Sequence, residues 1–186
     1  METDLSGKLL IAMPTLGDPR FDRTVILLCA HSEDFAMGIV INHPKDNLEI
    51  DEVLEQMDIG PIDNPIRYPL LDGGPVGQER GFVLHSPDRT FDGSTVTVTD
   101  EICLTTTPEI LETFPTEDRP ESALLALGYA GWGAGQLEDE LLDNAWIVGE
   151  PDDEIVFGED HEQKWEKALS KLGIDPGRLL SSAGRS

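Results

Sequence analysis

Residues 24–31 (TVILLCAH) and 36–42 (AMGIVIN) are two nearly continuous apolar runs, separated only by the short segment SEDF. Runs this short and uniformly apolar fit strands covered on both faces. Two of them joined by so few residues predict a hairpin at the centre of a sheet. The rest of the chain must then supply cover for each face of that hairpin.

The flanking pattern supplies it as alternating short elements. Residues 7–13 (GKLLIAM) read as a strand ended by Pro14, with a turn-rich loop over 15–22. Ile50, Val53, Leu54 and Met57 repeat at helical spacing, so 48–57 is predicted helical. A Pro- and Asp-rich loop leads to the strand 81–85 (GFVLH). TVTVT at 95–99 alternates as a strand, which 102–105 continues or pairs. Thr107 as cap and Pro108 at the first position open a short helix. Residues 122–129 are a predicted buried strand, and 136–144 a helix burying Leu137, Leu141 and Leu142. Residues 145–148 and 154–157 read as strands around the turn EPDD. The segment 160–172 is a helix with Trp165, Leu169 and Leu172 on one face, capped by Asp160 and stopped by Gly173. Strands outnumber helices and several are hairpin-linked, which favours α+β over a doubly wound sheet. At 186 residues, 39% of them hydrophobic, one domain over 1–186 is expected.

Charge narrows the partners. Thirteen Lys and Arg stand against 37 Asp and Glu, a net charge of −24. Such a surface repels phosphate backbones and anionic membranes, so neither direct nucleic-acid binding nor membrane association is expected. Lys164, Lys167 and Lys171 share a predicted helix with Glu162 and Glu166 and read as solvated pairs. No apolar run approaches the ~20 residues of a membrane span. The opening residues lack a secretory signal, and two cysteines are too few for a disulfide framework. A cytoplasmic protein is the expectation, with a small polar or cationic ligand, or a protein, as partner.

Three features could carry chemistry. Gly128, Gly131, Gly133 and Gly135 surround Trp132 between a predicted strand and helix. The dinucleotide fingerprint fails at its third glycine, no Gly-Lys-Ser/Thr follows, and Glu138, Asp139 and Glu140 would repel an anion. The segment reads as a tight turn, or as a rim presenting Trp132, Gln136 and Glu138 to a ligand. Cys29-x-His31 places a thiol and an imidazole on one face of a strand, where an activated thiolate or two metal ligands could form. A small buried core cysteine beside a capping histidine is the simpler reading. His43, His85 and His161 match no zinc spacing, and no Gly-x-Ser-x-Gly elbow exists. Neither a metal nor a cofactor is expected.

The strings LSGKLLIAMP, AMGIVIN, DGGPV, GFVLH, LGYAGWGAGQLEDE and KLGIDPGRLLSSAG, in this order, resemble the AlgH/YqgE family of bacterial proteins. The resemblance implies one α+β domain with a mixed, mostly antiparallel, bifurcated barrel-like sheet flanked by helices. It supplies no reaction, though one branch's name reflects a suggested role in transcriptional control of alginate synthesis. Members often carry Arg or Lys where His43 stands. The polar family positions carried here are His31, Asn42, His85, Gln136 and Glu138. A non-catalytic regulatory or binding protein is the preferred reading, with Trp132, Gln136, Glu138 and Asn42 at the ligand. The alternative is a hydrolase-like or thiol-dependent enzyme using His31, Cys29 or His85 with Glu138. The rim at Trp132, joined by His31 or His85, is expected to form the main concave pocket.

Overall fold

The expected hairpin sits inside a curled sheet. The computed structural model describes residues 4–13, 23–45, 48–60, 68–106, 108–158, 160–175 and 177. Strand β1 (Leu9–Ala12) pairs with β2 (Val25–His31), which pairs with β3 (Phe35–Val40), all antiparallel. Helix α1 (Ile50–Gln56), β4 (Leu70–Asp72), β5 (Val76–His85), β6 (Thr95–Thr99), β7 (Ile102–Thr105) and α2 (Glu109–Thr113) follow. Then come β8 (Ala123–Gly133), α3 (Gln136–Leu142), β9 (Trp146–Gly149), α4 (Asp153–Phe157), a 3₁₀ turn (His161–Gln163) and α5 (Lys164–Lys171). The nine strands run β6-β7-β5-β8-β3-β2-β1-β9, and β4 joins β8 in the one parallel pair among them. TVTVT and the segment after it therefore form a hairpin, and the α+β reading holds.

Both faces of β2 are buried, as its composition requires. Val25, Leu27 and Cys29 enter one cluster with Ile155, Trp165 and Leu169 from α4 and α5. Ile26 and Leu28 enter a second with Trp132, Leu137 and Trp146. A third cluster under α1 and α2 gathers Ile50, Leu54, Ile110, Phe114 and Leu125. The Trp165 indole N–H also donates to Ala12 O at 2.8 Å, locking α5 onto β1. Truncating a buried aromatic of this kind costs about 3–5 kcal/mol.

β8 holds the two halves of the sheet together. Its first part pairs with β5 and β4, and its last part, Ala130–Gly133, with β3. Along it, Ala123 and Leu125 face the third cluster, while Leu124 and Ala126 face the first. After Gly128 the phase slips: Tyr129 packs on the first cluster, and Ala130 and Trp132 on the second. Gly128 makes the slip possible at φ +85, where a Cβ would lie 2.6 Å from Gly74 O. The glycine-rich segment is thus strand as far as Gly133, not a turn from Gly128 onward. The turn is confined to the end, where Gly135 at φ +74 starts α3.

Other expectations change. Residues 153–157 form a helix rather than a strand, because the Asp152 carboxylate accepts from Ile155 N–H at 2.8 Å, a side-chain N-cap hidden in what reads as a turn. Leu142 and Leu172 are exposed, not buried. Asp160 makes no side-chain cap, but Gly173 at φ +77 does end the last helix. The predicted Thr107 cap, Pro14 and the loop 15–22 lie outside the described residues.

Lys164 departs furthest from its expected place. It is 1% exposed, and its Nζ donates to Ile41 O at 2.7 Å and Val156 O at 3.1 Å. Lys167 and Lys171 do form exposed pairs, with Glu154 and Asp152 rather than with their own helix. Burial pushes the Lys164 amine down from 10.5 to about 7. Between those values the unfolded chain binds more protons than the folded one, so stability rises with pH across the window. Cys29 and Tyr68, both pushed up to about 12 by burial, oppose the rise only above their ordinary values of 9.0 and 10.0. Denaturation at pH 7 and pH 9 should therefore show a more stable protein at pH 9, and Lys164→Met should flatten the difference. A wild-type stability that is flat or falls over that interval would contradict a buried, proton-shedding amine.

Candidate functional site

The Cys29 and His31 side chains do not meet. Strand β2 bulges between Leu28 and Ala30, so that Leu28 pairs with Gly38 but Ala30 with Met37. The extra residue, Cys29, shifts the alternation by one. Cys29 stays in the first cluster, whereas His31 pairs with Ala36 and Ala36 with Trp132, placing all three on the opposite face. Two-residue spacing predicts a shared face only for a regular strand. The Cys29 thiol lies 3.5 Å from Leu27 O, and desolvation pushes it up to about 12.

His31 does meet Glu138. Helix α3 crosses the His31 face, and the Glu138 Oε1 atom lies 2.5 Å from His31 Nε2. The Leu5 backbone N–H donates to His31 Nδ1 at 3.0 Å. A backbone N–H can only donate, so Nδ1 carries the lone pair and Nε2–H donates to the carboxylate. That hydrogen bond is the main cause holding the Glu138 carboxyl below its ordinary value. The imidazole side chain is 7% exposed and the carboxylate 48%. Both ring nitrogens are engaged, tying the segment before β1 to β2 and α3.

Trp132 is buried instead of forming an exposed rim. Its indole N–H donates to Glu140 Oε1 at 3.1 Å, and the Trp146 N–H donates to the same oxygen at 2.8 Å. The two rings meet edge to face at 6.0 Å between centroids. Gln136 closes the turn: its Oε1 accepts from Gly133 N–H at 3.0 Å, and its Nε2 donates to Glu140 Oε2 at 3.0 Å. Glu140 is therefore the hub of this corner. Its i,i+4 spacing from Gln136 was the only sign of it in the sequence.

His85 is fully buried and belongs to another part of the sheet. Nδ1–H donates to Ser86 O at 2.8 Å, which leaves Nε2 to accept from the Thr105 hydroxyl at 2.7 Å. Thr105 accepts in turn from Thr95 at 2.8 Å, and Thr95 from Phe91 N–H at 2.9 Å. Burial holds the imidazole below its ordinary value. Asn42 clamps backbone: its Oδ1 accepts from Val25 N–H at 3.0 Å and its Nδ2 donates to Arg23 O at 2.8 Å. Among the described residues no group of three or more His, Cys, Asp or Glu is arranged to hold a metal.

Two open concavities lie elsewhere. A cleft of about 440 Å³ between α1 and α2 is lined by Val53, Met57, Gln78, Val83, Leu111 and Leu125, among others. A groove of about 420 Å³ at the fork of the sheet is lined by Phe35, Met37, Val76, Arg80, Tyr129 and Trp132, among others. His31, His85, Gln136 and Glu138 line neither, and of the expected pocket Trp132 alone borders either of these two. Native Cys29 is expected to resist alkylation by iodoacetamide at neutral pH until the protein unfolds, in the wild type and in His31→Ala alike. Fast labelling that His31→Ala abolishes would show that the two side chains do communicate.

The comparisons with known proteins agree with this architecture. A model of the AlgH-like family (DUF179) matches residues 9–177. A UPF0301 protein of Ruegeria pomeroyi is 50% identical over 184 residues, 98% of this chain and 100% of its own. One from Caulobacter vibrioides is 49% identical over 184 residues, covering 98% and 94%. The solution structure of the AlgH protein from Pseudomonas aeruginosa superposes with a TM-score of 0.79 at 40% identity, over 97% of this chain and 95% of that one. A Corynebacterium diphtheriae protein, at 21% identity and a TM-score of 0.71 over 92% and 88%, shares the fold. The chain belongs to the AlgH-like, UPF0301 family.

Proposed function

We propose that this protein works by binding rather than by turnover, as a non-catalytic regulatory domain in the cytoplasm that engages a small molecule or a protein. One observation carries the reading: the candidate groups His31, His85 and Cys29 are committed to internal bonds or buried, while the cleft between α1 and α2 and the groove at the fork are lined mainly by apolar side chains. His31 and His85 each have both ring nitrogens occupied, and Cys29 is buried with a raised thiol value. A general base needs a free nitrogen within reach of substrate, and a thiol nucleophile needs a stabilised thiolate. Ligand pockets are typically apolar clefts of roughly 300–1,000 Å³ with a few placed polar groups, as both clefts here are. Direct DNA binding does not fit a chain of net charge −24. The hydrolase-like alternative keeps the His31–Glu138 pair as its support.

Differential scanning fluorimetry against metabolite-sized carboxylates, amines and nucleotides, with product analysis of every hit, tests this. Saturable stabilisation without consumption of the ligand is expected, together with no mobility shift of duplex DNA at physiological salt. Product formation abolished by Cys29→Ala or His31→Gln would put the enzyme reading first.

A further inference from the structure

The groove at the fork of the sheet sets a cation beside aromatic side chains. Between Val76 and Gly81, β5 leaves its pairing with β8, and Gly77 at φ +58 lets the chain bulge outward. Arg80 sits on this bulge. Its guanidinium carbon lies 5.8 Å from the centre of the Phe82 ring, a cation–π contact that fixes the head group over the groove. Phe82 and Tyr129 meet edge to face at 5.6 Å and form the floor. Phe35, 51% exposed, and Val76, 41% exposed, form the walls. Gly131 keeps the space open, since a Cβ there would come within 3.3 Å of the Tyr129 ring.

Arg80 has no carboxylate within ion-pair distance among the described residues, in a chain with 37 Asp and Glu. A guanidinium held on an aromatic ring beside exposed apolar side chains, and unpaired among the described residues, is a planar fork of N–H donors suited to a carboxylate. The net charge of −24 argues against an extended polyanion, and a volume of about 420 Å³ suits a small molecule. We infer that this groove binds a small monocarboxylate with an aromatic or bulky apolar body, its carboxylate on Arg80 and its body against Phe35, Phe82 and Tyr129. The inference rests on the binding reading above and gives it a site and a ligand class.

An amide NMR titration of the whole protein tests it, with 2-naphthoate as probe and the neutral 2-naphthylmethanol as its isosteric control. Naphthoate should produce saturable shifts at residues 35–37, 76–82 and 129–132, with a dissociation constant of about 1 mM or tighter. The alcohol should bind about tenfold more weakly, the loss of one charge-assisted contact. Arg80→Gln should weaken naphthoate by a similar factor and leave the alcohol unchanged, with the spectrum otherwise preserved. Equal affinities for acid and alcohol, shifts centred on Val53, Met57 and Leu111, or no saturable shift would each overturn the assignment. If naphthoate fails while another compound stabilises the protein without being consumed, the groove assignment falls and the binding reading stands. If naphthoate binds as described but some compound is turned over, the reverse holds.

Discussion

The fold depends on one strand changing faces. β8 pairs with β5 and β4 as far as Leu127, keeps Val76 of β5 as partner at Tyr129 and pairs with β3 from Ala130 on, and the slip at Gly128 redirects its side chains from the cluster under α1 and α2 to the cluster under α3. The slip is possible because Gly128 packs against the equally crowded Gly74, where a Cβ would lie 2.1 Å from the Tyr129 carbonyl carbon. Where the two halves diverge, the sheet cannot cover its own face. The groove between Phe35, Arg80 and Tyr129 is the geometric consequence of the fork.

The second constraint is the use of polar side chains as ties. Glu140 joins two tryptophans and Gln136, His31 joins the segment before β1 to α3, and Lys164 joins α5 to the backbone at Ile41 and Val156. Each satisfies buried donors or acceptors that would otherwise cost about 1–3 kcal/mol. The same commitments leave little reactive chemistry exposed.

Much of the fold was legible in the amino-acid sequence, because apolar periodicity reports burial directly. The central hairpin, the TVTVT hairpin and the helices at 48–57 and 160–172 could all be read that way. Residues 154–157 read as a strand because a helix of five residues is too short to show its period, and the deciding signal, the Asp152 cap, resembles a turn. The site was less legible. The bulge at Cys29 and the slip at Gly128, opposite the β5 bulge between Val76 and Gly81, decide which side chains share a face and depend on pairing with distant strands. Spacing puts Cys29 and His31 on one face, which the bulge undoes, whereas the expected meeting of His31 with Glu138, 107 residues apart, does occur. Lys164 looked solvated because its neighbours Lys167 and Lys171 are. Arg80 carried no motif at all.

Native-state hydrogen exchange under increasing denaturant tests most directly whether β8 couples the two halves of the sheet into one unit. The account predicts that amides of Leu124–Ala126 in β8, of Ile26–Leu28 in β2 and of Val83–Leu84 in β5 exchange only through global unfolding, with one common free energy. An opening that releases the β5, β6 and β7 amides at lower free energy, while β2 and β3 remain protected, would contradict it.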